Sequence, residues 1–376
     1  MTRPAPPGRS VPPGPAAVPR RVVDLGPEDP RWADLAAGSP DALPFHHPSW
    51  FQVIQHAFGY QPAALGCADD AGRLLGVLPL FEKHGLLSGR HLSSLPNTPV
   101  AGPVAADAGS IRSLLSAAID RVDSSAARGL QLKVLGAALD GQTGGFSRVA
   151  WAPAYVLDLA ADPGELPFGG PKDKSSIMRA IRKARRTGVV VREASSLSDV
   201  RHWYRLYLET MRTHTAPPRP FRMFELMWEL LAPQRRMRLL LAERTAGGRT
   251  QLLAGSVFLA SGRTVSYLCN GRDAAQLEFR PNDAIHWAAI SEACAAGFRR
   301  YDLGEVAAGN DGLARFKEKW GAQPVELFRY HYPPHHREVE RGVLGPGNLR
   351  GALEWTWRKL PRPVTAGLGG WICRRL

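Results

Sequence analysis

Three apolar runs in close succession, RMRLLLAER (236–244), QLLAGSVFLA (251–260) and TVSYLCNG (264–271), constrain this chain more than any other stretch. Only the short turns AGGR and SGR separate them. Connections that short join antiparallel strands, so the three form a meander. Around the meander the spacing becomes helical. SLSDVRHWYRLYLETMRTH (196–214) opens on a serine and repeats apolar residues at Val200, Trp203, Tyr204 and Tyr207, and FRMFELMWELLA (221–232) is a second helix after a proline-rich break. PNDAIHWAAISEACAAG (281–297) reads as a helix with an asparagine cap and a terminal glycine. RRYDLG is then a strand, GLARFKEKWG a short helix and PVELFRYHY a last strand. A basic helix, SSIMRAIRKARRTG, ending at Gly188, and a strand, VVVRE, come before them all.

The first half is less regular. PSWFQVIQHAFG (48–59) has helical spacing, and QPAALGCADDAGRLLGVLPLFEK (61–83) is two apolar runs around a turn, a hairpin. HLSSLPN is followed by the Gly/Pro-rich TPVAGPVAADAG, a helix over about 110–128, a strand LQLKVLG (130–136) and a strand WAPAYVLDLA (151–160). DPGELPFGGPKDK (162–174) has the composition of a linker.

Strand, helix, helix, three antiparallel strands, helix, strand, helix, strand is the element order of GNAT-type N-acyltransferases, and the first half repeats it in degraded form. The expected fold class is therefore α/β (α+β): two tandem GNAT-like domains, each a mixed, largely antiparallel sheet flanked by helices. The expected division is a disordered Pro-rich tail at 1–20, a degenerate domain at 21–165, a second domain at 166–335 and a basic, Trp-containing extension at 336–376.

GVLPLFEKHGLLSGRHLSSLPNTPVAGPVA, IRKARRTGVVV, RPNDAIHWAAISEACAAGFRRYDLGE and GLARFKEKWGAQPVEL resemble, in that order, the FemAB-like family over roughly residues 45–332. The resemblance implies amide-bond formation. The best understood members take an amino acid from aminoacyl-tRNA and place it on an amine of a peptidoglycan precursor, while others acylate small molecules in natural-product or surface-polymer pathways. The family's Phe-Lys-x-x-(aromatic)-Gly turn falls on Phe316, Lys317, Trp320 and Gly321, which makes Lys317 the leading catalytic candidate, with Phe316 a further catalytic candidate and Trp320 a substrate-binding one. Lysine is rare here, 8 residues against 40 Arg, yet Lys317 and Lys319 stand together. An ammonium can stabilise the oxyanion of acyl transfer. Asp302 or Glu305 can act as base on the acceptor amine.

The formal charge of +14 is diffuse except between Lys172 and Arg192, where eight cations and one acid lie within 21 residues. There Arg179, Arg182, Lys183 and Arg186 fall at i, i+3, i+4 and i+7, opposite Ile177, Ile181 and Ala184. That stripe suits a phosphate-rich ligand, an aminoacyl-tRNA donor or a nucleotide-linked acceptor. Acyl-CoA is the other donor to weigh, but NGRDAAQLEFRPNDAIHW lacks the glycine-rich phosphate loop that acetyl-CoA enzymes place before this helix. A non-catalytic tRNA- or nucleotide-binding module is the reading from a different class.

Cys67, Cys269, Cys294 and Cys373 are scattered, and His46–His47 is a lone pair, so no metal and no cofactor is expected. No apolar run reaches the roughly 18 residues of a membrane span, and no secretory signal is recognisable, which leads to an expected cytoplasmic location. Trp355, Trp357 and Trp371 among basic residues give GALEWTWRKLPRPVTAGLGGWICRRL two readings: contact with an anionic membrane surface, or packing back on the first domain.

Overall fold

The structure, a computed structural model, describes residues 19–334 except 86–88, 137–138, 140 and 143, together with 357 and 362–375. The expected tail up to residue 18, and the extension over 335–356 and 358–361, lie outside the described residues.

The first half runs β1 (Arg21–Asp24), α1 (Pro30–Gly38), α2 (Pro48–Phe58), β2 (Gln61–Pro62), β3 (Leu65–Ala68), β4 (Leu74–Leu78), β5 (Leu80–Gly85), β6 (Gly89–Ser94), β7 (Val104–Ala105), α3 (Ala108–Asp123), β8 (Leu130–Leu135), β9 (Ser147–Ala150) and β10 (Ala154–Asp158). The hairpin at the ADDAG turn is β3 against β4. The second apolar run, read as one strand, is two. Pro79 has no amide hydrogen for a ladder, so β4 stays with β3 and β7 while β5 turns to β2 and β6. Helix α3 starts where the Asp107 side chain accepts from the Ser110 amide, and its buried Leu114, Leu115, Ala118 and Val122 face that sheet.

The second half runs α4 (Pro171–Arg186), β11 (Val189–Glu193), α5 (Leu197–Thr213), α6 (Phe221–Leu230), β12 (Met237–Ala246), β13 (Arg249–Ser261), β14 (Thr264–Arg272), α7 (Pro281–Ala295), β15 (Arg300–Glu305), α8 (Asp311–Glu318), β16 (Gln323–Val325) and β17 (Leu327–Tyr332). The meander is β12–β13–β14, antiparallel throughout. Ser196 caps α5, as its sequence predicts. Helix α7 corrects the expectation of an asparagine cap. Its cap is Arg280, in the left-handed region at φ 60°, and Pro281 takes the first position, where its fixed φ fits and its missing amide is not needed.

Two strands cross between the halves. The seven-stranded sheet is ordered β11-β12-β13-β14-β15-β10-β16, and the six-stranded sheet β2-β5-β6-β8-β17-β9. Thus β10, from before the linker, lies between β15 and β16, with Val156 opposite Asp302. In return β17 lies between β8 and β9, with Phe328 opposite Val134. The single last strand expected over 324–332 is accordingly split between two sheets at Glu326. Each half also holds one short parallel pairing: Leu92↔Leu130 and Ser93↔Gln131 in the first, and Thr264↔Arg300, Val265↔Tyr301 and Ser266↔Asp302 in the second. Beyond these residues the paired strands separate.

Candidate active site

The parallel pairing of β14 and β15 ends at Ser266 and Asp302, and the candidate residues lie around that point. On one side β14 carries an extra residue, Leu268, so that Val257 faces Cys269 while Phe258 faces Tyr267, a bulge that bends the strand. On the other side β15 continues to Glu305, and Asp302 stands mid-strand. Gly304 there has φ +80°, a conformation strained for any side chain. A regular strand points successive carbonyls in opposite directions, whereas here the carbonyls of Gly304 and Glu305 both meet one ammonium.

That ammonium is Lys317. Helix α8 delivers it, after Asn310 caps the helix by accepting from the Leu313 amide at 3.3 Å. Lys317 is 3% exposed, and its Nζ donates to the carbonyls of Gly304 at 2.9 Å and Glu305 at 3.1 Å. It lies 5.8 Å from the centre of the Tyr155 ring. Lysine carries three N–H donors. Two are used, and none of the described residues takes the third. Burial lowers its pKa to about 8, with the charges of Asp302 and Glu305 pulling the other way.

Asp302 is buried beneath. Its Oδ1 accepts from the Gly304 amide at 2.7 Å and its Oδ2 from Ser266 Oγ at 3.4 Å. Burial pushes this carboxyl up, against the lowering pull of the Gly304 amide, Lys317 and Ser266. Glu305 is exposed and accepts from Trp151 Nε1 at 3.1 Å. His286, from α7, is enclosed with its Nδ1 2.9 Å from the Tyr301 hydroxyl; burial foremost, then Lys317 and Lys319, lowers its pKa to about 3, so it is neutral. Around it stand Tyr267, Phe316 and Trp320, with centroids at 5.1, 5.5 and 6.1 Å.

The structure therefore brings Lys317, Asp302, Glu305, Phe316 and Trp320 together. They do not offer the same surface. Trp320 is fully enclosed, its Nε1 without an acceptor among the described residues, so it forms the floor and exposes no face on which a ligand could stack. Phe316 is half-buried, and Lys319 Nζ lies over its ring at 4.8 Å. Lys319 itself pairs with the buried Asp283 of α7 at 3.2 Å. Sequence reasoning passed over Ser266 and Asp283, whose only signal is a polar residue inside an apolar run.

Arg179, Arg182 and Arg186 project from α4 into solvent, and Lys183 is half-buried. None of the four has an ion-pair partner among the described residues, while Arg192, Arg238 and Arg315 all pair with carboxylates. A shallow cavity of about 510 Å³ is lined by Pro171, Lys172, Ser175, Arg179 and Arg182. The start of α4 is held against α8, since Asp173 accepts from Arg315 at 2.7 and 3.0 Å and the Gly169 amide donates to the Lys319 carbonyl at 3.0 Å.

Residues 171–318 match the acetyltransferase (GNAT) domain family. No curated protein matches the chain. Among solved structures, that of FemX aligns over 83% of this chain and 97% of its own, with a TM-score of 0.67 at 14% identity. The C-terminal domain (DUF2156) of a putative lysylphosphatidylglycerol synthetase from Agrobacterium fabrum aligns over 80% and 90%, with 0.54 at 12% identity. L-PGS from Bacillus licheniformis aligns over 78% and 93%, with 0.52 at 10% identity. At these identities the likeness is one of fold. The domain match assigns residues 171–318 a GNAT acetyltransferase domain. The fold of the whole chain is like that of FemX, and the domain match falls on the half that carries Lys317.

Proposed function

We propose that the chain forms an amide by moving an aminoacyl group from an aminoacyl-tRNA ester to an acceptor amine, in cell-envelope or secondary-metabolite biosynthesis. The observation that carries this reading is Lys317, a buried ammonium tethered by two backbone carbonyls with its third N–H left over. Attack of the amine on the ester carbonyl puts negative charge on the carbonyl oxygen, and that N–H receives it. The C–N bond forms, the ester C–O bond breaks, and the proton lost by the amine ends on the leaving ribose hydroxyl. Asp302 is the better-placed carrier for that proton, because burial raises its carboxyl toward the working range of a general base. Glu305, exposed at the rim, is the other.

The start of α7 favours tRNA over acyl-CoA as donor. A pyrophosphate needs free amides at a helix N-terminus. Here Pro281 removes one, and Asp283 puts a buried carboxylate in the first turn. The unpaired cations of α4 supply a different phosphate surface, with Arg179, Arg182, Lys183 and Arg186 lying along an RNA backbone. The acceptor is a small-molecule or cell-wall precursor amine, and the reaction is cytoplasmic because charged tRNA is.

The test is transfer of label from a radiolabelled aminoacyl-tRNA pool to a panel of amines. Transfer should persist without CoA and vanish after RNase treatment. Transfer that needs acetyl-CoA and ignores RNase would make the protein an N-acetyltransferase. Binding of tRNA with no transfer to any amine, unchanged in Lys317→Ala, would make it a binding module.

A further inference from the structure

The C-terminal helix Arg362–Arg375 is fixed to both halves of the molecule. Its Gly369 lies so close to Pro218 that a Cβ would stand 2.3 Å from the proline Cδ. Cys373 Sγ donates to the Pro218 carbonyl at 3.7 Å. From the first half, the Tyr60 hydroxyl meets the carbonyls of Cys373 and Arg374 at 3.2 and 3.0 Å, and Asn97 Nδ2 donates to the Cys373 carbonyl at 2.8 Å. Thr365, Gly369 and Cys373, at i, i+4 and i+8, thus form the buried face.

The other face is apolar too. Val364, Leu368 and Trp371, at i, i+4 and i+7, are 42%, 42% and 51% exposed. Large hydrophobic residues exposed singly are ordinary. Among the described residues, however, only Trp151 and Val190 are comparably exposed elsewhere, so this helix holds most of them in one stripe. Arg374 is exposed next to the stripe. From Arg350 to the end, the sequence has six cations (Arg350, Arg358, Lys359, Arg362, Arg374 and Arg375) against one acid, Glu354. The helix has 14 residues, which at about 1.5 Å per residue is too short to cross a bilayer.

We infer that this helix lies flat on an anionic membrane surface, with Val364, Leu368 and Trp371 in the boundary between headgroups and acyl chains and the exposed Arg374 on lipid phosphates. A narrow apolar stripe flanked by arginine has the composition of an interfacial helix. Each cation adds attraction to an anionic leaflet. A second copy of the chain is the poorer occupant, since both copies carry +14 and three side chains fall well short of the roughly 800 Å² per partner of a stable interface. The helix is anchored through Gly369 and Cys373, so docking needs no rearrangement of the fold. The inference stands apart from the choice of acyl donor.

Flotation of the full chain with phosphatidylcholine vesicles, with and without phosphatidylglycerol, tests it. Binding should require phosphatidylglycerol and weaken with salt. It should fall roughly tenfold or more in Leu368→Glu/Trp371→Glu, and less in Arg374→Glu. Leu368 and Arg374 are exposed, so Leu368→Glu alone, which should also weaken binding, and Arg374→Glu should keep the wild-type melting temperature and the wild-type rate on a soluble amine. Equal binding to both vesicles, or to neither, overturns the inference. So does a concentration-dependent dimer that Leu368→Glu dissociates, which would make the stripe an interface between copies.

Discussion

Each half of the molecule opens a crevice where a parallel strand pair separates, and the two crevices are filled differently. In the first half, residues 95–102 fold back along β8. The Ala101 amide donates to the Lys133 carbonyl at 3.0 Å, and Trp50 Nε1 donates to Thr98 Oγ1 at 3.0 Å. Lys133 Nζ reaches over to the carbonyls of Leu95 and Thr98 at 3.3 and 3.1 Å. Leu95, Thr98, Val100 and Ala101 are all buried, so the chain's own loop plugs this crevice. In the second half β14 instead bulges and runs on to Arg272, and the ammonium of Lys317 binds the carbonyls of Gly304 and Glu305 at the end of β15. Both lysines donate to two backbone carbonyls. Lys133 clamps a loop that crosses the crevice, whereas Lys317 is bound to two carbonyls of its own sheet, Gly304 and Glu305, with the buried carboxylate of Asp302 nearby. One architecture thus yields a structural clamp in one half and the proposed reactive position in the other.

The sharpest way to break that comparison is to remove each lysine in turn. Lys317→Met should lower kcat by about 10²–10³, the usual loss for one oxyanion donor. KM should change little, because the third N–H engages the oxyanion and not the ground state. Lys133→Met should leave kcat within about threefold and instead cost about 1–3 kcal/mol of stability, since two loop carbonyls lose a donor. Steady-state kinetics and urea unfolding on both variants check the pair. A reversed pattern, with Lys133 carrying rate and Lys317 only stability, would move the active site to the first half.

The difference between the crevices was only partly legible in the sequence. Element order in the second half could be read because the helical and strand periods are local, and the meander turns are two to four residues long. Lys317 stood out through the family's turn motif and the rarity of lysine. What escaped depends on distant pairings. The exchange of β10 and β17 joins strands whose apolar pattern is the same in either sheet. The plug at 95–102 reads as an irregular Gly/Pro stretch until Lys133 ties it down. Asp283 is 36 residues from Lys319, and nothing local marks them as a pair. Trp320 is a substrate-binding candidate beside Lys317 by its place in the turn motif, and tertiary packing encloses it completely.

A second, smaller effect tests Lys317 by pH. In the folded chain Lys317 has its pKa lowered from 10.5 to about 8. Below pH 8 both folded and unfolded states hold its proton, and the cost of burying the charge is fully present. Between 8 and 10.5 the unfolded state binds the proton and the folded state does not, so stability rises with pH. Comparing wild type with Lys317→Met removes the titration of other groups. The wild type should gain on the variant by roughly 2 kcal/mol between pH 7 and 9.5. In the same range kcat/KM of the wild type should fall through an apparent pKa near 8, as the protonated donor is lost. A rate that rises through that pKa would make Lys317 a base and leave the oxyanion without this donor.

The smallest effect is reserved for the neighbour that shares the turn. Lys319 donates to Asp283, and its ammonium lies over Phe316. Asp283 is buried, so Lys319→Met leaves a carboxylate without its cation at the first turn of α7. The cost should be about 1–3 kcal/mol of stability, as for a buried charged group that loses a partner. Asp283→Asn in the same background removes the orphaned charge and should recover most of that loss, which a purely steric role for Lys319 would not allow. The rate on the acyl donor should stay within about threefold in both variants, because neither side chain meets the reacting atoms. A rate loss as large as that of Lys317→Met would mean that both lysines, not one, face the acyl group.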